Sequence, residues 1–347
     1  MVRAGIMRLR RNTWAAVSLV GALALGRGCV PNPQRPGAAA TSDGFEWSTR
    51  LDRGAPLVGK IWKPDAGAMV NEEAVVAALV AADSVLLGER HDNPDHHRLQ
   101  ARLIAELVSA GRKPTLALEM LEPDDDATVA RYRSDPKAGA RGLGTVLAWE
   151  KSGWPDWPEY LPIAEVAFQA GLPMVSANLP RSLVRAIVHS GLAALPPADV
   201  PRLDLDTPLP EPLETSLEQE LRDSHCGQLP EALVVPMALA QRARDGQMAA
   251  RMRSFPAPVV LIAGAGHIAR DRGVPLHLRA HHPDGHIVSI AFVEVLPHKT
   301  TPESYAADFG ASTLPFDFVW FTPRASDEDP CAGFRAPIPP HGEPSKP

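Results

Sequence analysis

The chain has 347 residues, 45% of them apolar, with 36 Pro, 26 Gly, 3 Cys and a formal net charge of -6. That length can bury a sizeable core, and the apolar content belongs to a globular chain rather than a disordered one. Three cysteines exclude a disulfide-dense scaffold and an all-cysteine metal site, and the mild acidity argues against a nucleic-acid partner.

The N-terminus reads as an address. Arg3, Arg8, Arg10 and Arg11 precede an apolar run from Trp14 to Leu25, and Gly26-Arg27-Gly28-Cys29 follows. A positive head, a short apolar centre and a small-residue end describe a secretory signal over residues 1–28. The run is shorter than the roughly 20 residues of a membrane-spanning helix. Cys29 suggests a bacterial lipoprotein signal, with lipid on that Cys. A plain secreted protein and an uncleaved anchor are the alternatives. Loss of residues 1–28 removes five Arg and no acidic residue, so the net charge moves from -6 to -11. Residues 29–54, with Pro31, Pro33, Pro36 and Gly37, read as a flexible tether.

The body alternates strand, loop and helix. Ser84 to Leu87 is an apolar strand running into Gly88-Glu89-Arg90-His91. Asn93-Pro94-Asp95 then supplies a cap, a first-turn Pro and an acid at the positive helix end. Leu99, Leu103, Ile104 and Leu107 recur at helical spacing until Gly111. Pro114 to Leu118 is a second strand, ending at Glu119. A helix over Ile163 to Ala170 precedes a third strand, Pro173 to Ala177, ending at Asn178. Pro258 to Ala263 is a fourth, ending at Gly264-Ala265-Gly266-His267, and Ile287 to Val295 alternates like a further one. Continuous apolar strands separated by helices predict a mostly parallel sheet flanked by helices, an α/β class. Helical insertions at about 121–160 and 182–255 read as a smaller cap. Residues 300–347 read as a C-terminal extension, disordered after about 332.

Open parallel sheets bind ligands beyond the carboxyl ends of their strands. Glu89, His91, Glu119, Asn178 and His267 all fall there. Gly88 lets the backbone turn sharply near a ligand; Glu89 and Glu119 suit general acid/base or metal work, and His91 and His267 suit ligation or proton transfer. Gly264-Ala265-Gly266-His267 could cradle a carboxylate or phosphate but lacks the dinucleotide pattern. No H-E-x-x-H, C-x-x-C or C-x-x-C-H occurs, so neither a zincin site nor covalent haem attachment is supported. Of His96 and His97, adjacent on the helix, at most one should face the pocket, with a surface position expected for the other. His281, His282 and His286 flank Pro283-Asp284-Gly285 and read as an exposed turn. The stretch Trp154-Pro155-Asp156-Trp157-Pro158-Glu159-Tyr160 is either core or a stacking wall for a flat ligand. Cys226 and Cys331 either pair, in an oxidising compartment, or stay as two thiols; spacing does not decide.

Several motifs in one order carry a resemblance. Leu87-Gly88-Glu89-Arg90-His91-Asp92-Asn93-Pro94-Asp95-His96-His97, Ala117-Leu118-Glu119-Met120, Trp157-Pro158-Glu159-Tyr160, Ala240-Gln241-Arg242-Ala243-Arg244-Asp245 with Met248-Ala249, and Gly264-Ala265-Gly266-His267 resemble the ChaN family of haem-binding lipoproteins. The match runs from about residue 55 to 297, within a ChaN-like domain over 55–299. The resemblance implies a parallel α/β domain with a small helical domain and a role in iron acquisition. It implies haem held by a Tyr ligand, possible cofacial haems in a homodimer, an outer-membrane haem uptake system as partner, and a lipid-anchored, periplasm-facing place. Tyr160 is the candidate ligand and Tyr132 the next; Glu89, His91, Glu119, Asn178 and His267 line the site. The wider group includes the Tiki proteases and erythromycin esterases. It implies instead a hydrolase dependent on a divalent metal such as Mn, Co or Zn, with His91 and His267 as ligands and Glu89 or Glu119 activating water. The binding role is favoured over an enzyme. A third reading leaves the polar cluster merely buttressing sheet and cap.

Overall fold

A computed structural model describes residues 45–329 and 331. The signal, Cys29, most of the tether and the tail after 331 lie outside the described residues. In chain order come β1 (Ile61–Lys63), β2 (Ala68–Val70), α1 (Glu72–Ala81), β3 (Ser84–Glu89), α2 (Pro94–Ser109), β4 (Thr115–Leu118), α3 (Asp125–Arg133), α4 (Ala140–Val146) and α5 (Trp157–Gln169). There follow β5 (Met174–Ser176), α6 (Arg181–Ser190), α7 (Asp199–Arg202), α8 (Glu211–Ser224), α9 (Glu231–Arg253), β6 (Val259–Gly264), α10 (Val274–His281), β7 (Ile287–Glu294) and β8 (Phe318–Thr322).

The strands form one sheet in the order β2-β1-β8-β7-β3-β6-β4-β5. β8, β7, β3, β6, β4 and β5 run parallel. β1 joins β8 antiparallel, and β2 joins β1 antiparallel. Strand side chains alternate between the two faces. Val85 and Leu87 therefore enter one core with Leu99, Leu103, Leu107 of α2 and Ile163 of α5. Leu86 enters the other with Met248, Ala249 and Met252 of α9 and Leu278 of α10. Both faces of the sheet are covered, as the uninterrupted apolar strands require.

The predicted class stands: a mostly parallel sheet flanked by helices. The insertions divide between the layers. Val129, Ala140 and Leu143 join the first core. The last turns of α9 join the second, while α6, α7 and the middle of α9 gather a small helical core around Ile187, Leu203 and Ala243. α5 begins at Trp157, six residues before the sequence expectation, with Pro158 in its first turn and Pro162 inside. Residues after 300, read as an extension, supply β8, a fully buried strand beside β7. Its Phe318-Val319-Trp320-Phe321 run is short and sits before a Pro-rich tail, which hid it.

Candidate functional site at the strand carboxyl ends

The parallel register brings the strand ends level. Glu89 is the last residue of β3 and pairs in register with Gly264 at the end of β6. Glu119 follows β4 and donates its N–H to Ile262 of β6 at 3.0 Å. His267 lies in the 3-10 turn after β6, and Asn178 two residues past β5. The chain topology thus gathers four of the expected site residues.

Glu89 is the hub of one half. Its Oε1 accepts from His91 Nδ1 at 2.8 Å and from the Tyr160 hydroxyl at 2.9 Å. His97 Nε2 lies 3.3 Å from its Oε2, an ion-pair contact outside hydrogen-bond alignment. Both His97 nitrogens and Glu89 Oε2 are buried without a hydrogen-bond partner. Burial alone would raise the Glu89 carboxyl; His97 and His91 outweigh it and hold it well below the usual range. Tyr160 is pushed far above the usual phenol range by burial and by the Glu89 charge.

Glu119 is the hub of the other half. It pairs with the Arg244 guanidinium through Oε1, and its Oε2 accepts the Gly264 N–H at 2.7 Å. His267 Nε2 is 3.5 Å from Oε1, and His267 Nδ1 is 2.5 Å from Asp245 Oδ1. Burial opposes the charged form of both groups. The Glu119 carboxyl is nonetheless held well below its usual value by His267 and Arg244, and the His267 imidazole is pushed up to about 9 by Glu119 and Asp245. Asn178 locks the arrangement: its Oδ1 accepts from Arg244 Nε at 3.1 Å and its Nδ2 donates to the Glu119 carbonyl at 3.1 Å.

His91 joins the halves. Its Nε2 is 3.7 Å from Glu119 Oε2, and its side chain is 31% exposed while those of Glu89 and His97 are fully buried. Burial would lower its pKa; Glu89 and Glu119 raise it. The Trp154 ring lies tilted against it with centroids 4.8 Å apart. A cavity of about 290 Å³ opens beside Glu119, Trp154 and Asn178, with Lys151 and Arg181 on its wall. Of the aromatic stretch, Trp157 is half-buried against the core residue Trp149, and Trp154 is turned to the site.

Three expectations are corrected. His96 and His97 are both fully buried, so neither is a surface residue. His96 accepts the Arg90 N–H at its Nδ1, so its Nε2–H donates to Thr322 of β8 at 2.8 Å. Gly88 does not present backbone to a ligand; it sits within β3, where an added Cβ would lie 2.5 Å from Ile268 Cδ1. The Gly264 turn cradles a carboxylate of the protein itself, Glu119. Sequence reading also left Gln241, Arg244, Asp245 and His97 without a role at the site. The i, i+3, i+4 spacing of Gln241, Arg244 and Asp245, which puts them on one face of α9, was the available signal. Elsewhere, Cys226 and Cys331 form a disulfide with Cα atoms 5.6 Å apart. His281 ends α10, and His282 and His286 flank the turn after it; all three are exposed, as expected of them.

Donor chemistry separates the possible bound groups. Tyr160 does not fit as an iron ligand, because its hydroxyl is buried and given to Glu89. Tyr132 gives its hydroxyl to the Gly139 carbonyl at 2.9 Å. His91 does fit, since a metal-bound imidazole ordinarily donates its other N–H to a carboxylate, as Nδ1 does to Glu89. Glu119 is committed to Arg244 and Gly264, and among the described residues no group of three or more His, Cys, Asp or Glu has the geometry of a metal site. No helix among the described residues is long and apolar enough to cross a membrane.

Fold and site together define an α/β protein with a charged strand-end cluster. The model of the family described as haem-binding uptake, Tiki superfamily, ChaN, matches residues 75–278, and the chain belongs to that family. The solved structure of cofacial heme binding to ChaN of Campylobacter jejuni is similar over 75% of this chain and 95% of that one, at 23% identity and a TM-score of 0.59, and shares the fold. Looser similarity links it to the type III effector HopBA1 (14% identity, 79% and 96% covered, TM-score 0.39). A mutant of the erythromycin esterase EreC, in its open conformation, is similar at 16% identity over 77% and 96% of the two chains, with a TM-score of 0.41. Neither of these two bears on this chain's chemistry. No curated protein matches it in sequence.

Proposed function

We propose that the chain binds haem at the strand carboxyl ends, with His91 as the residue offered to iron. One observation carries this reading: His91 is the half-exposed imidazole of the cluster, its Nδ1 held by Glu89 and its ring tilted against Trp154. Membership of a haem-binding family supports it. Haem would supply the iron; the chain supplies an oriented imidazole, an aromatic wall and a buried carboxylate behind it. A haemin titration followed by absorption tests the assignment. The expected result is a saturable Soret shift that survives Tyr160→Phe and is lost in His91→Ala. A shift lost in Tyr160→Phe but kept in His91→Ala would overturn it. We further propose that the protein is a periplasm-facing lipoprotein, anchored at Cys29 in the outer membrane and handing haem to an uptake system. Metabolic labelling with a fatty acid should mark the wild-type chain and not Cys29→Ala.

The His267–Asp245 contact favours a second reading, hydrolysis. A carboxylate-oriented histidine can pass protons in general acid/base catalysis. Ester or peptide hydrolysis by the purified chain that disappears in Asp245→Asn would support it. Hydrolysis unaffected by that change would remove it.

A further inference from the structure

At the opposite end of the sheet a cavity of about 440 Å³ opens where β3, β6 and β7 begin. Its size falls within the roughly 300–1,000 Å³ typical of small-molecule sites. Met252, Phe255, Val259, Leu278 and Ile287 give it an apolar lining. Arg253, the last residue of α9, stands in the same wall.

Arg253 is the unusual member. Its Nη1 is buried and has no hydrogen-bond partner among the described residues. Burial lowers its pKa, with Asp204 countering and Arg202 adding to the fall. The side chain as a whole is only half-buried, so the guanidinium, which carries five donors and cannot shed its charge, keeps donors within reach of a bound acid. The carboxylates of the wall do not supply the match. Asp83 accepts the His286 N–H at 3.1 Å, and Asp284 lies in the exposed turn. His281 turns its Nε2 to Asp204, 2.8 Å away.

We infer that this cavity is a second binding site, for a small acid with a flat apolar body. The carboxylate would meet Arg253 and the apolar body would lie on Phe255 and Leu278. Arg matches carboxylates well because its fork offers parallel donors. The site is independent of haem, being lined by none of the residues at the strand carboxyl ends.

Calorimetric titration of the full chain with 2-naphthoate, and with 2-naphthamide as the uncharged match, tests the inference. Wild type should bind naphthoate saturably and at least tenfold more tightly than naphthamide. Arg253→Gln should abolish that preference. Ala257→Trp, which adds bulk at the cavity wall, should abolish binding while leaving the haemin titration unchanged. His91→Ala should leave naphthoate binding intact. Thermal unfolding of each variant verifies its fold, so either variant alone can decide. No saturable binding, a preference that survives Arg253→Gln, binding undiminished in a folded Ala257→Trp, or loss of binding in His91→Ala would each overturn the assignment.

Discussion

Tyr160 and His91 share one oxygen. Glu89 Oε1 accepts from the Tyr160 hydroxyl at 2.9 Å and from His91 Nδ1 at 2.8 Å, so a fully buried phenol holds the carboxylate that orients a half-exposed imidazole. The phenol ring is fixed in turn, stacked on His97 with centroids 4.1 Å apart and tilted against Trp149 at 5.2 Å. Tyr160 is therefore a support for the site rather than a ligand in it.

Tyr160→Phe keeps the ring contacts and removes one hydrogen bond to a charged acceptor. Such bonds contribute about 1.5–3 kcal/mol. Urea denaturation at neutral pH should show stability lowered by that amount. An unchanged midpoint would mean that Glu89 is held adequately by His91 and His97 alone.

His267 predicts an alkaline loss of stability. Burial disfavours its charged form, but Glu119 and Asp245 outweigh burial and place its pKa at about 9, against 6.5 unperturbed. The folded value lies above the unfolded one, so the stabilisation is complete below about pH 6.5 and fades as pH rises through about 9. It amounts to about 3 kcal/mol. Denaturation midpoints measured across that window should fall in the wild type and stay nearly level in His267→Gln. Parallel curves for the two proteins would refute the coupling.

His96 predicts the acid limb. Burial, reinforced by His97, pushes its imidazole down to about 3, although Glu89 and Asp95 pull the other way. Its Nδ1 must accept from the Arg90 N–H, which requires the neutral ring. Here the folded value lies below the unfolded 6.5, so the unfolded chain takes up a proton that the folded chain refuses. Stability should fall as pH drops from about 6.5 towards 3, by about 4–5 kcal/mol in all. The slope should shrink in His96→Gln, which itself starts less stable at neutral pH. Equal acid slopes in the two proteins would point to another group.

The strand-end residues were legible because parallel α/β sheets put polar chemistry at one predictable place. Apolar strands led directly to Glu89, Glu119, Asn178 and His267. What was not legible came from elements whose pattern hid them. β8 is five residues long and follows an irregular stretch, so the burial of His96, which depends on Thr322, could not be read. α9 is buried almost all round between Ala240 and Met252, so the shared face of Gln241, Arg244 and Asp245 did not stand out as a polar stripe against an apolar one. The role of Tyr160 turned on its surroundings. Its identity allowed ligation, while the depth of α5 against α2 made it a hydrogen-bond donor to Glu89.

Gly264 separates site geometry from fold stability. A Cβ there would lie 2.9 Å from His91 Nε2 and 3.7 Å from Glu119 Oε2. The nearest atom belongs to a half-exposed side chain that can swing away, so Gly264→Ala should cost little stability while moving His91 off Glu119. At Gly88 the added methyl would meet Ile268 at 2.5 and 2.6 Å and the Ala265 Cα at 3.0 Å, within a packed core. Overpacking of that kind costs about 1–3 kcal/mol. Haemin titration and thermal unfolding of the two variants should therefore diverge. Gly264→Ala should weaken haemin binding at least tenfold with a midpoint near wild type. Gly88→Ala should lower the midpoint and leave binding by the folded fraction nearer normal. If Gly264→Ala bound haemin as wild type does, His91 would not be the residue offered to iron, since that substitution reaches the site through His91.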